Sequence, residues 1–230
     1  MKNKYMSENR NKGKYILIGI GIIIICIICI FFLKKDNKNL KSGNNMSNKN
    51  REEIEEYILN ISSYEAQIDV TVESNKNTSK YKLKQQYKSP NIEKQTILEP
   101  SNIEGLTTIY DGNKLTIQNS KLNATTVYEN YPYLVDNFLW LNAFIQDYKT
   151  NKEKNQTKLT QEDDLIIMET PVENSNEKYI SHKKLIFDRK TGKPSKLLIQ
   201  DINKKNLVYI LYNEITVNGL QREEVLASKK

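Results

Sequence analysis

Residues 64–73 read Tyr-Glu-Ala-Gln-Ile-Asp-Val-Thr-Val-Glu. Tyr64, Ala66, Ile68, Val70 and Val72 alternate with Glu65, Gln67, Asp69, Thr71 and Glu73, so one face is apolar and the other polar. A period of two is that of a strand whose successive side chains point to opposite sides of a sheet. A strand buried on one face only belongs to an antiparallel sheet with a solvated outer side. Residues 74–77, Ser-Asn-Lys-Asn, then turn the chain. Lys80–Lys88 returns with Tyr81, Leu83, Gln85 and Tyr87 on one side and Lys80, Lys82, Lys84 and Lys88 on the other.

The pattern continues downstream. After Pro90, Ile92–Leu98 predicts a third strand. Gly105–Tyr110 and Lys114–Asn119 flank Asp111, Gly112 and Asn113, a hairpin signal because glycine supplies the positive φ of a tight turn. Leu122–Tyr128 extends the meander, and strands resume at Asp164–Thr170, Lys178–Asp188, Pro194–Asp201 and Asn206–Val217. The turn at 188–194 is tightest at Gly192. Two stretches change to helical spacing. Within Asn50–Ile61, Ile54, Tyr57, Ile58 and Ile61 form one stripe, with Glu52 and Glu53 in the first turn where the helix dipole favours negative charge. Within Pro132–Tyr148, Leu134, Phe138, Leu141, Ile145 and Tyr148 form another, with Trp140 and Phe144 beside it. Asn151–Thr160 reads as a polar loop, and Leu220–Lys230 as a charged tail that frays. Consecutive strands without βαβ alternation exclude a doubly wound fold. The expected class is α+β: a strongly curved antiparallel sheet of eight to ten strands, an incomplete barrel, with two or three helices.

Upstream lies a different solvent. Residues 15–33, YILIGIGIIIICIICIFFL, hold no charge. A helix of that length spans roughly 28 Å, about the thickness of a bilayer's hydrocarbon. The expected organisation is a cytoplasmic tail at 1–14, a transmembrane anchor or uncleaved signal at 15–33, a flexible tether at 34–49, an extracytoplasmic domain at 50–218 and the charged tail at 219–230. A short tail with Lys2, Lys4, Arg10, Lys12 and Lys14 favours the inside, which sets the C-terminal domain outside. No small-x-small pattern marks a cleavage site. Cys26 follows Ile25 and Cys29 follows Ile28, where a lipoprotein signal sets its cysteine after a small residue. Lipidation of either cysteine stays open.

Charge and cysteine usage narrow the function. The chain carries a formal net charge of +7. Residues 1–51 hold eleven Lys or Arg against Glu8 and Asp36, so the rest of the chain is slightly acidic. The cationic excess therefore sits around the apolar stretch, where anionic headgroups attract it, and the domain has no basic surface for nucleic acid. Both cysteines lie within 15–33, leaving the domain without a disulfide or a thiolate. His182 is the one histidine, too few for a zinc site of the usual kind, and it reads as a rim residue of a strand. No G-x-S-x-G elbow accompanies it. Glu162, Asp163 and Asp164 lack calcium-loop spacing. The pairs Glu52-Glu53 and Glu55-Glu56 read as solvated helix charge. No catalytic, metal or cofactor residue is assigned. The one candidate patch is apolar: Phe138, Trp140, Leu141, Phe144 and Ile145, either core or the wall of a ligand cavity in a half-open barrel.

The order of elements resembles the LolA/LolB lipoprotein-carrier superfamily. Four motifs carry the resemblance: Ser63-Tyr64-Glu65-Ala66 opening the first strand, the Lys-rich return strand ending in Ser89-Pro90, the hairpin Tyr110 to Leu115, and the turn Phe187 to Pro194. They cover about Asn50 to Val217. Within the superfamily the chain is most similar to the GerS branch of clostridial germination proteins. That resemblance implies a non-enzymatic protein of sporulation, held at a membrane in the forespore intermembrane space. Its implied partner is a zinc-dependent N-acetylmuramoyl-L-alanine amidase of the CwlD type, which works on cortex peptidoglycan towards muramic-δ-lactam. The alternative is a carrier or sensor of an apolar ligand or lipoprotein, using the concave face. A homodimer stays open, with Lys80–Lys88 and the C-terminal strand as expected edge strands for docking.

Overall fold

The computed structural model describes residues 46–74, 76–132, 138–173 and 179–227. The expected cytoplasmic tail, the 15–33 anchor and nearly all of the tether lie outside the described residues. Among those described, no helix is long and apolar enough to cross a membrane.

A 3-10 turn (Met46–Asn48) leads into α1 (Arg51–Leu59). Asn50 starts the helix through a capping box: its Oδ1 accepts from the Glu53 N–H at 2.8 Å, and its own N–H donates to Glu53 Oε2 at 2.9 Å. Six strands follow as a meander: β1 (Ser63–Glu73), β2 (Thr78–Lys88), β3 (Ile92–Glu99), β4 (Leu106–Tyr110), β5 (Leu115–Asn119) and β6 (Ala124–Tyr128). Helix α2 (Leu141–Glu153) carries the chain to a second meander: β7 (Lys158–Glu162), β8 (Leu165–Pro171), β9 (His182–Asp188), β10 (Lys193–Gln200) and β11 (Asn206–Val217). A last helix, α3 (Arg222–Leu226), ends the fold.

All eleven strands form one antiparallel sheet in the order β6-β5-β4-β3-β2-β1-β11-β10-β9-β8-β7. The strand from which the sequence is read, β1, is therefore its middle. It pairs along its whole length with β2 and with β11 from the far end of the chain. Between Gln67 and Ile68 the register with β11 shifts, so Tyr212 and Ile215 turn to the same buried side despite their odd spacing. Inward side chains of β1, β2 and β8–β11 meet those of α1 and α2 in one cluster, about which the open sheet curves.

Several expectations are corrected. The helix expected at Pro132–Tyr148 begins at Leu141 and runs to Glu153, into the stretch expected to be loop. Leu134 lies outside the described residues. Lys158–Glu162 is a strand, β7, missed because an edge strand with one apolar residue needs no alternation. Among the described residues the sheet has eleven strands, not eight to ten. Neither expected edge is an edge: β2 lies between β1 and β3, and β11 between β1 and β10. The charged tail does not simply fray. Val225 is fully buried as α3 packs on the outer side of β2 and β3, Lys94 Nζ donates to the Ala227 carbonyl at 2.6 Å, and Arg222 donates to the Asp111 carbonyl at 3.1 Å.

Candidate functional site

Helix α2 lies over the inner face of the sheet and carries both groups of residues that a function could use. Its apolar side is the patch singled out in the sequence. Leu141, Phe144 and Tyr148 are fully buried, Trp140 and Ile145 nearly so, and Phe138 is half-buried against them. Leu141, Phe144, Ile145 and Tyr148 recur at three and four residues on one face of α2, and Phe138 and Trp140 lie just before it. The Phe144 and Tyr148 rings stand 5.7 Å apart, and Tyr64 from β1 lies 6.4 Å from Trp140 and 5.6 Å from Tyr87. The structure thus brings all five candidate residues together against the core.

The start of α2 is set from across the fold. Trp140 occupies the N-cap position with an extended backbone and offers no side-chain acceptor. The Tyr64 hydroxyl takes that role, accepting from the Leu141 N–H at 3.2 Å and donating to Asn142 Oδ1 at 3.3 Å. Asn142 Nδ2 then donates to Glu93 Oε1 at 3.0 Å, and Gln85 Nε2 donates to Gln95 Oε1 at 2.9 Å and to the Leu139 carbonyl at 3.4 Å. Burial pushes the Tyr64 and Tyr212 phenols well up, so both stay neutral.

The polar side of α2 is buried too, and sequence reasoning missed it. Asp147 meets Lys183 of β9 at 2.7 Å, with 7% and 4% of the side chains exposed. Burial pushes the Asp147 carboxyl up, and Lys183 only partly offsets it. Asn151, fully buried, donates through Nδ2 to the Asp147 carbonyl at 2.9 Å and to the Pro171 carbonyl at 3.2 Å. Glu55 of α1 accepts from the Tyr148 hydroxyl at 2.7 Å and from Lys152. Burial, then Glu55, pushes the Tyr148 phenol up. The expectation that Glu55-Glu56 is solvated charge is therefore half corrected: Glu56 is exposed, and Glu55 is buried because Tyr148 and Lys152 satisfy it. The available signal was the i,i+4 pairs Asp147/Asn151 and Tyr148/Lys152, which the expected end of the helix at Tyr148 and polar loop from Asn151 split apart.

Chemically, this arrangement docks a helix. Its charged groups are paired inward, and among the described residues no group of three or more His, Cys, Asp or Glu could hold a metal ion. His182 opens β9 at the rim, partly exposed, opposite Pro171 and Gln200. Glu162, Asp163 and Asp164 sit at the β7–β8 turn, where Asp164 pairs with Lys190 at 2.6 Å.

Residues 12–225 match the family model described as sporulation protein YdcC-like. No curated sequence matches the chain. Among solved structures, an uncharacterized conserved protein from Thermus thermophilus is similar at 10% identity and a TM-score of 0.47, covering 78% of this chain and 94% of that one. The CwlD amidase from Clostridioides difficile in complex with the GerS lipoprotein is similar at 23% identity and a TM-score of 0.45, covering 71% and 91%. A LolA superfamily protein from Nitrosomonas europaea is similar at 11% identity and a TM-score of 0.40, covering 77% and 97%.

Proposed function

This chain belongs to the YdcC-like family of sporulation proteins, and we propose that it acts there as an accessory protein without chemistry of its own. Residues 15–33 hold it at a membrane, with the sheet domain outside the cytoplasm, between the membranes that surround the forespore. There it binds and activates a zinc-dependent N-acetylmuramoyl-L-alanine amidase on the route to cortex muramic-δ-lactam. The metal and the hydrolytic water belong to that partner.

One observation carries the proposal: the family match runs from 12 to 225 and so takes in the apolar stretch together with the whole sheet domain. Two others support it. The motifs from Ser63 to Pro194 resemble the superfamily in which the germination branch sits. The buried charged residues around α2 are spent on holding that helix to the sheet, as a binding module requires and an active site does not. In the Clostridioides difficile complex, the amidase CwlD is found with the lipoprotein GerS; an amidase partner for this chain is our proposal.

A carrier function draws on a different observation. Beyond α2, Leu115 and Ile117 of β5 are only half-buried and Tyr128 of β6 is 47% exposed, on the side of the sheet that continues the inner face. Acyl chains could lie there. Affinity capture of the full-length chain from sporulating cells in mild detergent separates the two. Near-stoichiometric recovery of a zinc amidase supports the accessory function. Recovery of lipid or lipoprotein with no amidase would sink it in favour of the carrier.

A further inference from the structure

The sheet ends at β6 and β7 among the described residues, and the two ends are guarded differently. β7 carries Lys158 and Glu162, and charges on an edge discourage further pairing. β6, Ala-Thr-Thr-Val-Tyr, has no charge and no proline, and all five of its residues are exposed. Val127 and Tyr128 are 47% exposed, and Leu122 just before them is 74% exposed. Among the described residues only β5 pairs with this strand, which leaves its outer row of backbone N–H and C=O groups without a strand partner there.

We propose that β6 pairs with β6 of a second copy of this chain, antiparallel about a two-fold axis at Thr126. In that register Thr126 faces its own copy, Thr125 faces Val127 and Ala124 faces Tyr128. Asn123 and Asn130 take positive φ at either end, so the seam is confined to Ala124–Tyr128. No like charges meet, and the pairs are of the β-branched and threonine kind that favour antiparallel strands. The strand is thus its own complement, as a two-fold interface demands. A charged partner strand would find nothing on β6 to neutralise it. The seam is short against a standard interface of about 800 Å² per partner, so the dimer should be concentration-dependent. This inference stands apart from the amidase proposal.

The test uses the full-length chain in detergent micelles, with Cys26→Ser and Cys29→Ser, and Thr126→Cys added. Residues opposite each other in antiparallel strands stand about 4.5–5.5 Å apart at Cα, within disulfide reach. Mild oxidation should give a disulfide-linked dimer. Thr160→Cys, in the middle of β7, should stay monomeric under the same conditions. Adding Thr125→Lys and Val127→Lys sets lysines opposite each other twice, and should lower the dimer yield about tenfold or more while the circular dichroism spectrum stays that of the parent. A Thr126→Cys yield no higher than the Thr160→Cys yield, or a yield undiminished by the lysines, overturns the proposal.

Discussion

At the scale of single residues, the Asp147–Lys183 pair separates what polar side chains look like from what they do. Both are charged, neither was singled out within its expected helix or strand, and both are buried. A buried charge is tolerated only with its partner in place, because the desolvation cost remains when the partner leaves. Asp147→Leu or Lys183→Met alone should therefore destabilise the domain by about 3–5 kcal/mol, and the two together by much less than their sum. Chemical denaturation of the four proteins checks this; additive losses, or single losses under about 1 kcal/mol, would contradict the account. None of this was legible, because burial of Asp147 and Lys183 is decided by where α2 lands on the sheet. Glu55 is the same lesson in α1: its neighbour Glu56 is indistinguishable by type and stays exposed. The apolar side chains were easier. Trp140, Leu141, Phe144 and Ile145 were found together because a hydrophobic stripe at helical spacing announces its own partner surface.

At the scale of elements, local signals did well where the cap or turn is local and failed where it is remote. The Asp111–Lys114 turn was read correctly, and the structure shows why. Asp111 Oδ1 accepts from the Asn113 and Lys114 N–H groups, each at 3.0 Å, and Gly112 takes φ +99. Partial burial pushes the Asp111 carboxyl up, but those two N–H groups and the Lys114 ammonium outweigh it and hold it below its usual value. A lowered value means that its contribution to stability is present above the unfolded carboxylate's pKa of about 3.9, and is lost as pH falls through the folded one. The Asp111 carboxyl carbon, followed by NMR, should titrate below that of an unfolded peptide; a midpoint at or above it would refute this turn's geometry. The start of α2 was misplaced for the opposite reason. Its capping acceptor is Tyr64, 77 positions away in sequence, and no local pattern reports it. Tyr64→Phe should cost about 1–2 kcal/mol and loosen amide exchange in the first turn of α2, with the rest of the sheet unaffected. Unchanged exchange at Leu141 would show that the hydroxyl does not cap the helix.

At the scale of the whole molecule, the sequence indicated one curved antiparallel sheet but not its order. Alternation in β1 says that one face is buried; it does not say that β1 pairs with β11, which returns from the far end of the chain. That single pairing joins the two meanders and turns β11 into an interior strand, while β2 is enclosed by its meander neighbours β1 and β3. It also leaves β6, short and uncharged, as an open end. Membership in a sporulation family says when the chain acts, and the proposed role for the sheet is to bind a partner. The central claim is that this binding serves cortex modification. Its most direct test is muropeptide analysis of cortex from spores of a strain lacking this chain. The account predicts that muramic-δ-lactam disappears while the cortex is otherwise assembled. Cortex with its normal muramic-δ-lactam content would contradict it.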